Sequence, residues 1–150
     1  MTLLIKINQL IGRAQTYRQI CEVRLVQVER QRQEISAEIS ALQVQQNTLR
    51  QLLALERPLG QLDRAGLFVR QRRQAVLRRQ YNELELQSKK LNQQYLELGE
   101  RLATIRAEQR QWRRKQDKYQ IVVKREKRQL MLTRLRQEET EMQEIITCRQ

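Results

Sequence analysis

A seven-residue apolar repeat runs along most of the chain and limits what it can fold into more than any other feature. Every seventh residue is apolar from position 7 to 49, and again from 77 to 119. The two series are Ile7, Ala14, Cys21, Val28, Ile35, Leu42 and Leu49, and then Leu77, Leu84, Leu91, Leu98, Ile105, Trp112 and Tyr119. A repeat sustained over this many heptads is typical of coiled-coil helices.

The residues that break helices are concentrated in one short segment, 57–66. Pro58 cannot continue a helix, Gly60 can adopt a positive φ, and Asp63 is suited to cap the helix that follows. A short turn makes neighbouring helices antiparallel. We therefore predict an all-α fold, a long antiparallel two-helix coiled-coil hairpin. It forms one domain over 1–150, with helices at about 3–56 and 63–147 and a turn at about 57–62.

The second position of the seam is less regular. In the second helix we expect Leu67, Tyr81, Tyr95, Leu102, Val123 and Leu130 there, interrupted by Gln74, Ser88, Gln109 and Gln116. In the first helix the apolar pattern drifts from the register of Leu3, Leu10 and Tyr17 to that of Leu25, Ile39 and Leu53. Polar residues in a seam weaken a coiled coil while fixing its register, so we expect a moderately stable hairpin.

The two helices are unequal in length. Folding back at residue 59 or 60 is expected to bring Leu3 close to Gln116. The second helix would then overhang the first from about residue 117, as a single helix of roughly 45 Å.

Charge is distributed unevenly along the chain, which has 30 basic and 17 acidic residues and a net charge of +13. Segment 101–136 carries 13 basic and 3 acidic residues, segment 64–90 carries 8 and 2, and the tail 137–150 carries 1 and 4. A concentrated basic field attracts acidic partners and raises association rates. The overhang is therefore the leading candidate for partner binding.

Composition argues against catalysis, metal binding and membrane insertion. There is no His to act as a base or zinc ligand, and two Cys cannot form a disulfide scaffold. Gly60 and Gly66 have the wrong spacing for a phosphate-binding loop, and no apolar run is long enough to cross a bilayer. The carboxylates of Glu83 and Glu85, and the tail cluster Glu138, Glu139, Glu141 and Glu144, are expected on solvated faces. We predict no enzymatic activity, no cofactor and a cytoplasmic location with reduced thiols.

The basic segment also contains the aromatic and apolar side chains best suited to an interface. Trp112 and Tyr119 either pack in the seam or serve as partly exposed anchors. The residues predicted to bind a partner are Trp112, Arg113, Arg114, Lys115, Lys118, Tyr119, Lys124, Arg125, Lys127, Arg128, Leu130 and Met131. Trp and Arg are enriched at interface hot spots, and exposed apolar clusters such as Leu130–Leu132 usually acquire a partner.

Several short motifs, in order along the chain, resemble the SctO family of type III secretion systems, in particular its InvI (SpaM) branch. They are Cys21-Glu22, Arg78-Arg79-Gln80, Leu84-Glu85-Leu86-Gln87, Trp112, Arg114-Lys115, Tyr119-Gln120, Arg125, Lys127-Arg128, Gln137-Glu138-Glu139 and Glu144-Ile145-Ile146. The flagellar protein FliJ is a more distant relative.

This resemblance implies a central stalk of the export apparatus. Its terminal end would enter the hexameric ring of the secretion ATPase (SctN-like), and it would contact the cytoplasmic ring of the export gate (SctV-like). Some family members bind export chaperones. The location implied is the cytoplasmic face of the apparatus at the inner membrane, and export of the chain itself is left open.

Two other functions remain open. One is an escort or adaptor that carries chaperones to the gate without entering the ATPase. The other is a basic coiled coil that binds nucleic acid, which we disfavour because the charge pattern carries no base-reading cluster. Binding that stays tight and sequence-selective at roughly 150–200 mM salt would distinguish nucleic-acid recognition from non-specific charge attraction.

Overall fold

The chain folds as an antiparallel hairpin of two long α-helices. The computed structural model describes residues 2–56, 60 and 63–149. Helix α1 spans Thr2–Leu55 and helix α2 spans Arg64–Cys148, with 54 and 85 residues respectively. These described ranges contain no strand. The predicted all-α fold with a longer second helix is confirmed, and the chain divides into two compact units, Met1–Arg24 with Ile105–Gln150 and Leu25–Thr104.

Burial along α1 follows one unbroken coiled-coil register. Apart from Gly12, its buried and half-buried residues alternate in steps of three and four: Leu4, Ile7, Ile11, Ala14, Arg18, Cys21, Leu25, Val28, Arg32, Ile35, Ile39, Leu42, Gln46, Leu49, Leu53 and Glu56. The predicted drift is therefore wrong, since Leu3, Leu10 and Tyr17 are 50%, 38% and 46% exposed. Arginine takes a seam position instead, because its alkyl stem can pack while its charged end reaches a partner.

The seam of α2 agrees with the prediction over its middle. The series from Leu77 to Tyr119 is buried or half-buried, and so are the companion residues Tyr81, Ser88, Tyr95, Leu102, Gln109, Gln116 and Val123. Two predicted members fail, because Leu67 is 43% and Leu130 45% exposed. Every described residue from Lys127 onwards is exposed, so Leu130 has no helix packed against it.

The unit formed by Met1–Arg24 with Ile105–Gln150 is centred on small seam residues. Ile7, Ala14, Cys21 and Val123 are buried, and Gln116 is only 7% exposed. Nη1 of Arg18 donates a hydrogen bond to Oε1 of Gln116, with a length of 2.6 Å. Gln116 is therefore matched with Arg18, and the predicted proximity of Leu3 to Gln116 is wrong. The overhang accordingly begins after Glu126 and not near residue 117.

The unit formed by Leu25–Thr104 contains both helix ends next to the turn. Nε2 of Gln74 donates to the backbone oxygen of Glu56 (3.0 Å), and Arg73 lies 4.0 Å from the Glu56 carboxylate. Gln74 thus satisfies a carbonyl that the end of α1 leaves without a helical partner. Because Glu56 meets residues 73 and 74, the centre of the pairing lies beyond the turn glycine. This displacement explains why the predicted pairing was wrong.

The predicted turn at 57–62 falls mostly outside the described residues, which include neither Pro58 nor residues 57, 59, 61 and 62. Gly60 has a φ of 106°, a conformation that favours glycine. Oδ1 of Asp63 accepts a hydrogen bond from the backbone N–H of Gly66 (3.0 Å), as expected of a helix N-cap.

Arginines inside the seam are the most unusual feature of the packing. The guanidinium carbon of Arg32 lies 4.2 Å from the ring centre of Tyr95. A Cβ at Gly99 would lie 3.3 Å from Nη2 of Arg32, so the glycine makes room for the guanidinium. Nε of Arg18, Nε of Arg32 and Nη1 of Arg70 are buried without a hydrogen-bond partner. Such nitrogens lower stability, because their lost contacts with water are not replaced.

Candidate partner-binding surfaces

All eight basic residues predicted to contact a partner are exposed: Arg113, Arg114, Lys115, Lys118, Lys124, Arg125, Lys127 and Arg128. Within the described part of the chain, none of the eight forms an ion pair. Nζ of Lys115 lies 4.4 Å from the ring centre of Trp112, a cation–π contact. This set of charges is therefore available to an acidic partner.

The two predicted aromatic anchors take part in helix packing. Trp112 is half-buried and stacks on Tyr17, with ring centres 4.4 Å apart and planes 14° apart. Tyr119 is half-buried at a seam position. The geometry thus supports packing of Trp112 and Tyr119 in the seam and not their use as exposed anchors. Sequence reasoning missed the role of Tyr17 because it placed Tyr17 in the seam, whereas unbroken heptad spacing from Ile7 puts it beside the seam.

The overhang, residues 127–149, is a continuous segment, helical as far as Cys148, in which every residue is exposed. At 1.5 Å per residue this segment is about 35 Å long. It exposes seven large apolar side chains: Leu130, Met131, Leu132, Leu135, Met142, Ile145 and Ile146. Leu130 and Met131 belong to the predicted set. The predicted set omitted Leu135, Met142, Ile145 and Ile146. Leu135 lies three residues after Leu132, Met142 seven after Leu135, and Ile145 and Ile146 three and four after Met142, so the spacing indicates one helical stripe.

The apolar stripe of the overhang lies on the side of α2 opposite the seam. Heptad steps from Tyr119 lead through Glu126 to Thr133, Thr140 and Thr147. Their hydroxyls donate to carbonyl oxygens four residues earlier in the same helix, at 2.9, 2.8 and 2.7 Å. Leu135 and Met142 each follow a threonine by two residues, which is roughly 200° around the helix. This line of the seam thus becomes polar where its partner helix is absent, whereas the companion line from Gln116 and Val123 continues as Leu130, Gln137 and Glu144.

A second surface lies next to the turn, within the unit Leu25–Thr104. Its exposed apolar side chains are Leu52, Leu55, Phe68, Val69 and Val76. An open groove of about 450 Å³ is lined by Leu52, Glu56, Arg72, Arg73, Val76, Leu77 and Gln80. The guanidinium of Arg72 lies 5.0 Å from the Phe68 ring centre. This surface is mixed apolar and basic, which suits a partner with an apolar and acidic face.

Two ionisable side chains elsewhere in that unit, Arg50 and Arg79, contact neighbouring side chains. Arg50 donates a 2.7 Å hydrogen bond to the hydroxyl of Tyr81, and this bond raises the pKa of Arg50 above its ordinary value. Glu83, whose carboxylate lies 3.7 Å from Arg79, and Glu85 are exposed. Over the residues that the structure describes, no cluster of His, Cys, Asp and Glu could hold a metal ion.

Comparison with known proteins places the chain in a family. The model of the family described as "Salmonella surface presentation of antigen gene type M protein" matches residues 5–146, which include nearly all of both helices. No curated protein and no solved structure matches the chain significantly. Across the described residues, neither helix contains a segment apolar enough to cross a bilayer. The chain therefore belongs to the InvI/SpaM family of type III secretion stalk proteins, a structural family of the secretion apparatus and not an enzyme family.

Proposed function

We propose that the chain is the central stalk of a type III export apparatus, with its overhang inserted into the ring of the secretion ATPase and its turn end directed to the export gate. The observation that carries the proposal is the exposure of every described residue from 127 to 149, although seven of them are large and apolar. A helix of this kind is stabilised when other subunits surround it.

Charge supports the same assignment. The first part of the overhang, 127–136, and the turns of α2 before it form the most basic segment of the chain, with 13 basic and 3 acidic residues between 101 and 136. Acidic side chains lining a ring would be attracted to this segment and would position the helix within it. Membership of a secretion stalk family makes the ATPase of that system the acidic partner to test first.

The test is binding of the full chain to its cognate secretion ATPase, together with ATP turnover, at near-physiological salt. The variant carries Glu at Lys124, Lys127 and Arg128. We expect the affinity to fall about tenfold, because each interface charge contributes roughly 0.2–1 kcal/mol. The matched control carries Glu at Arg30, Lys89 and Lys90, which are exposed in the other unit, and should bind like the wild type.

Removal of the overhang provides the second arm of the test. The chain should end after Glu126, because Val123 is buried and an earlier truncation would damage the hairpin. We expect this truncated chain to lose any effect on ATP turnover while it keeps its helical circular dichroism. Equal affinities for the two charge-reversed variants, or full activity of the truncated chain, would refute insertion of the overhang.

A second candidate function is an escort that brings export chaperones to the gate. The apolar and basic surface next to the turn, with Leu55 at 77% and Phe68 at 57% exposure, favours it. The proposed location, at the cytoplasmic face of the apparatus, is common to both functions. The test is capture of export chaperones in the absence of the ATPase. The escort function would be supported if Phe68→Glu abolishes this capture and the chain that ends after Glu126 retains it.

A further inference from the structure

Six of the seven exposed apolar residues of the overhang, all except Leu130, are arranged symmetrically about a point between Glu138 and Glu139. Leu135 and Met142 lie at equal distances on either side of this point. The same holds for Leu132 with Ile145 and for Met131 with Ile146, so all six pair off. Two such helices packed antiparallel about this point would place each apolar side chain opposite an apolar side chain of the other copy.

The charges of the overhang have the sign pattern that an antiparallel pair requires. Residues 127–136 include four basic and no acidic side chains, whereas 137–149 include four acidic and one basic. An antiparallel pair sets the basic half of each copy against the acidic half of the other, while a parallel pair would set like charges together. Arg134 and Arg136 of each copy would lie beside Glu141 and Glu139 of the other copy, one pair on each flank of the paired face, and each pair would occur twice about a two-fold axis.

The face that carries these residues is open in the folded hairpin. Leu132 and Leu135 are each 46% exposed, and Met142 is 66% exposed. They lie roughly opposite the seam line of Thr133 and Thr140, so a second helix can approach without disturbing the packing of α1 on α2. Glu138 and Glu139 are the only like charges brought together at the centre, and Glu138 lies 3.7 Å from Arg134 of its own helix.

We propose that two copies of the chain associate through antiparallel pairing of residues 131–146, with a two-fold axis between Glu138 and Glu139. The paired segment is about 24 Å long, so the interface is small and the dimer weak and concentration-dependent. It uses the same side chains as the proposed ATPase contact. The dimer is therefore a state of the chain outside the ring, which covers the apolar stripe until another partner replaces the second copy.

The first experiment is sedimentation velocity of the full chain, in reductant and without any partner, from low to high micromolar concentration. We expect a concentration-dependent dimer in the wild type and a monomer in Leu135→Glu/Met142→Glu. The matched control, Thr133→Glu/Thr140→Glu, puts the same charges on the opposite face and should still dimerise. All these residues are exposed, so helicity by circular dichroism should be equal in the three proteins.

Charge exchange tests the direction of pairing. Reversal of the basic pair, Arg134→Glu/Arg136→Glu, and reversal of the acidic pair, Glu139→Arg/Glu141→Arg, should each weaken the dimer by about tenfold or more, because each places like charges in contact on both flanks. The variant with all four substitutions should recover at least the wild-type affinity. Failure of this fourfold variant to recover would overturn the proposed register.

A distance measurement supplies an independent readout. Cys148 is exposed whereas Cys21 is only 3% exposed, so a spin label should react selectively with Cys148. Antiparallel pairing about the proposed centre separates the two Cys148 residues by about 30 Å along the helices, and parallel pairing makes them neighbours. A short distance, a wild type that is monomeric throughout, or dimers of the Leu135→Glu/Met142→Glu variant would each overturn the proposal. None of these results depends on whether the chain binds an ATPase.

Discussion

The two seam arginines of α1 should respond differently to the same substitution. Arg18 and Arg32 both have a buried Nε without a hydrogen-bond partner. Arg32 otherwise contacts the face of the Tyr95 ring, whereas Arg18 donates to the side chain of Gln116, which is 7% exposed. Leucine at position 32 therefore leaves no polar atom behind, while leucine at position 18 leaves a buried amide without its partner.

The expected magnitudes follow from these contacts. Arg32→Leu removes an unsatisfied nitrogen worth about 1–3 kcal/mol and loses a cation–π contact worth about 0.5–1 kcal/mol. We expect a net gain of about 1–2 kcal/mol in the free energy of unfolding. Arg18→Leu gains a similar free energy by removing its unsatisfied Nε, but it leaves the buried Gln116 oxygen without a hydrogen bond, which costs about 1–3 kcal/mol. Its net effect should be close to zero.

The assay is urea and thermal unfolding followed by circular dichroism at one fixed, low protein concentration. For a chain of this size Tm should rise by about 2–4 °C per kcal/mol, so Arg32→Leu should raise it by about 5 °C. The double variant Arg18→Leu/Gln116→Leu should be stabilised although Arg18→Leu alone is not, a coupling of about 2 kcal/mol. Equal stabilisation by Arg18→Leu and Arg32→Leu, or destabilisation by Arg32→Leu, would refute this account of the seam.

Three further predictions concern single contacts. Asp63→Ala should lower the free energy of unfolding by about 1 kcal/mol through loss of the N-cap of α2, and Asp63→Ser should recover most of it in urea titrations. Gly99→Ala should have little effect alone, because its Cβ crowds Arg32, but should stabilise the Arg32→Leu variant by about 1 kcal/mol in the same assay. Tyr17→Ala should uncover Trp112, the single tryptophan, and shift its fluorescence emission to longer wavelength.

The fold was predictable because it depends on the seven-residue apolar repeat, which remains recognisable when single positions depart from it. The series from Ile7 to Leu49 was enough to identify a coiled-coil helix and to place Cys21 in its core. The register of the companion position was not predictable in the same way. Leu3, Leu10 and Tyr17 are apolar, whereas the seam residues Arg18 and Arg32 are charged. Apolarity alone therefore selected the wrong heptad position.

Which residues of α1 face which residues of α2 could not be predicted, for a different reason. Turn residues show where the chain reverses, but the seam contacts determine which layers face each other. Glu56 meets Gln74, and this contact has no signature in the residues of the turn. The overhang was therefore predicted about ten residues too long, although the exposure of its apolar residues Leu130, Met131 and Leu132 was expected.

The polar contacts of the seam limit how far α1 can slide along α2. Sliding of α1 past α2 by one heptad would separate Arg18 from Gln116 and move the Arg32 guanidinium away from Tyr95 and the space above Gly99. Each charged group would then be buried against side chains that cannot receive it. Axial sliding of α1 past α2 is thus opposed within each unit, at the layer of Arg18 in one and at the layer of Arg32 in the other.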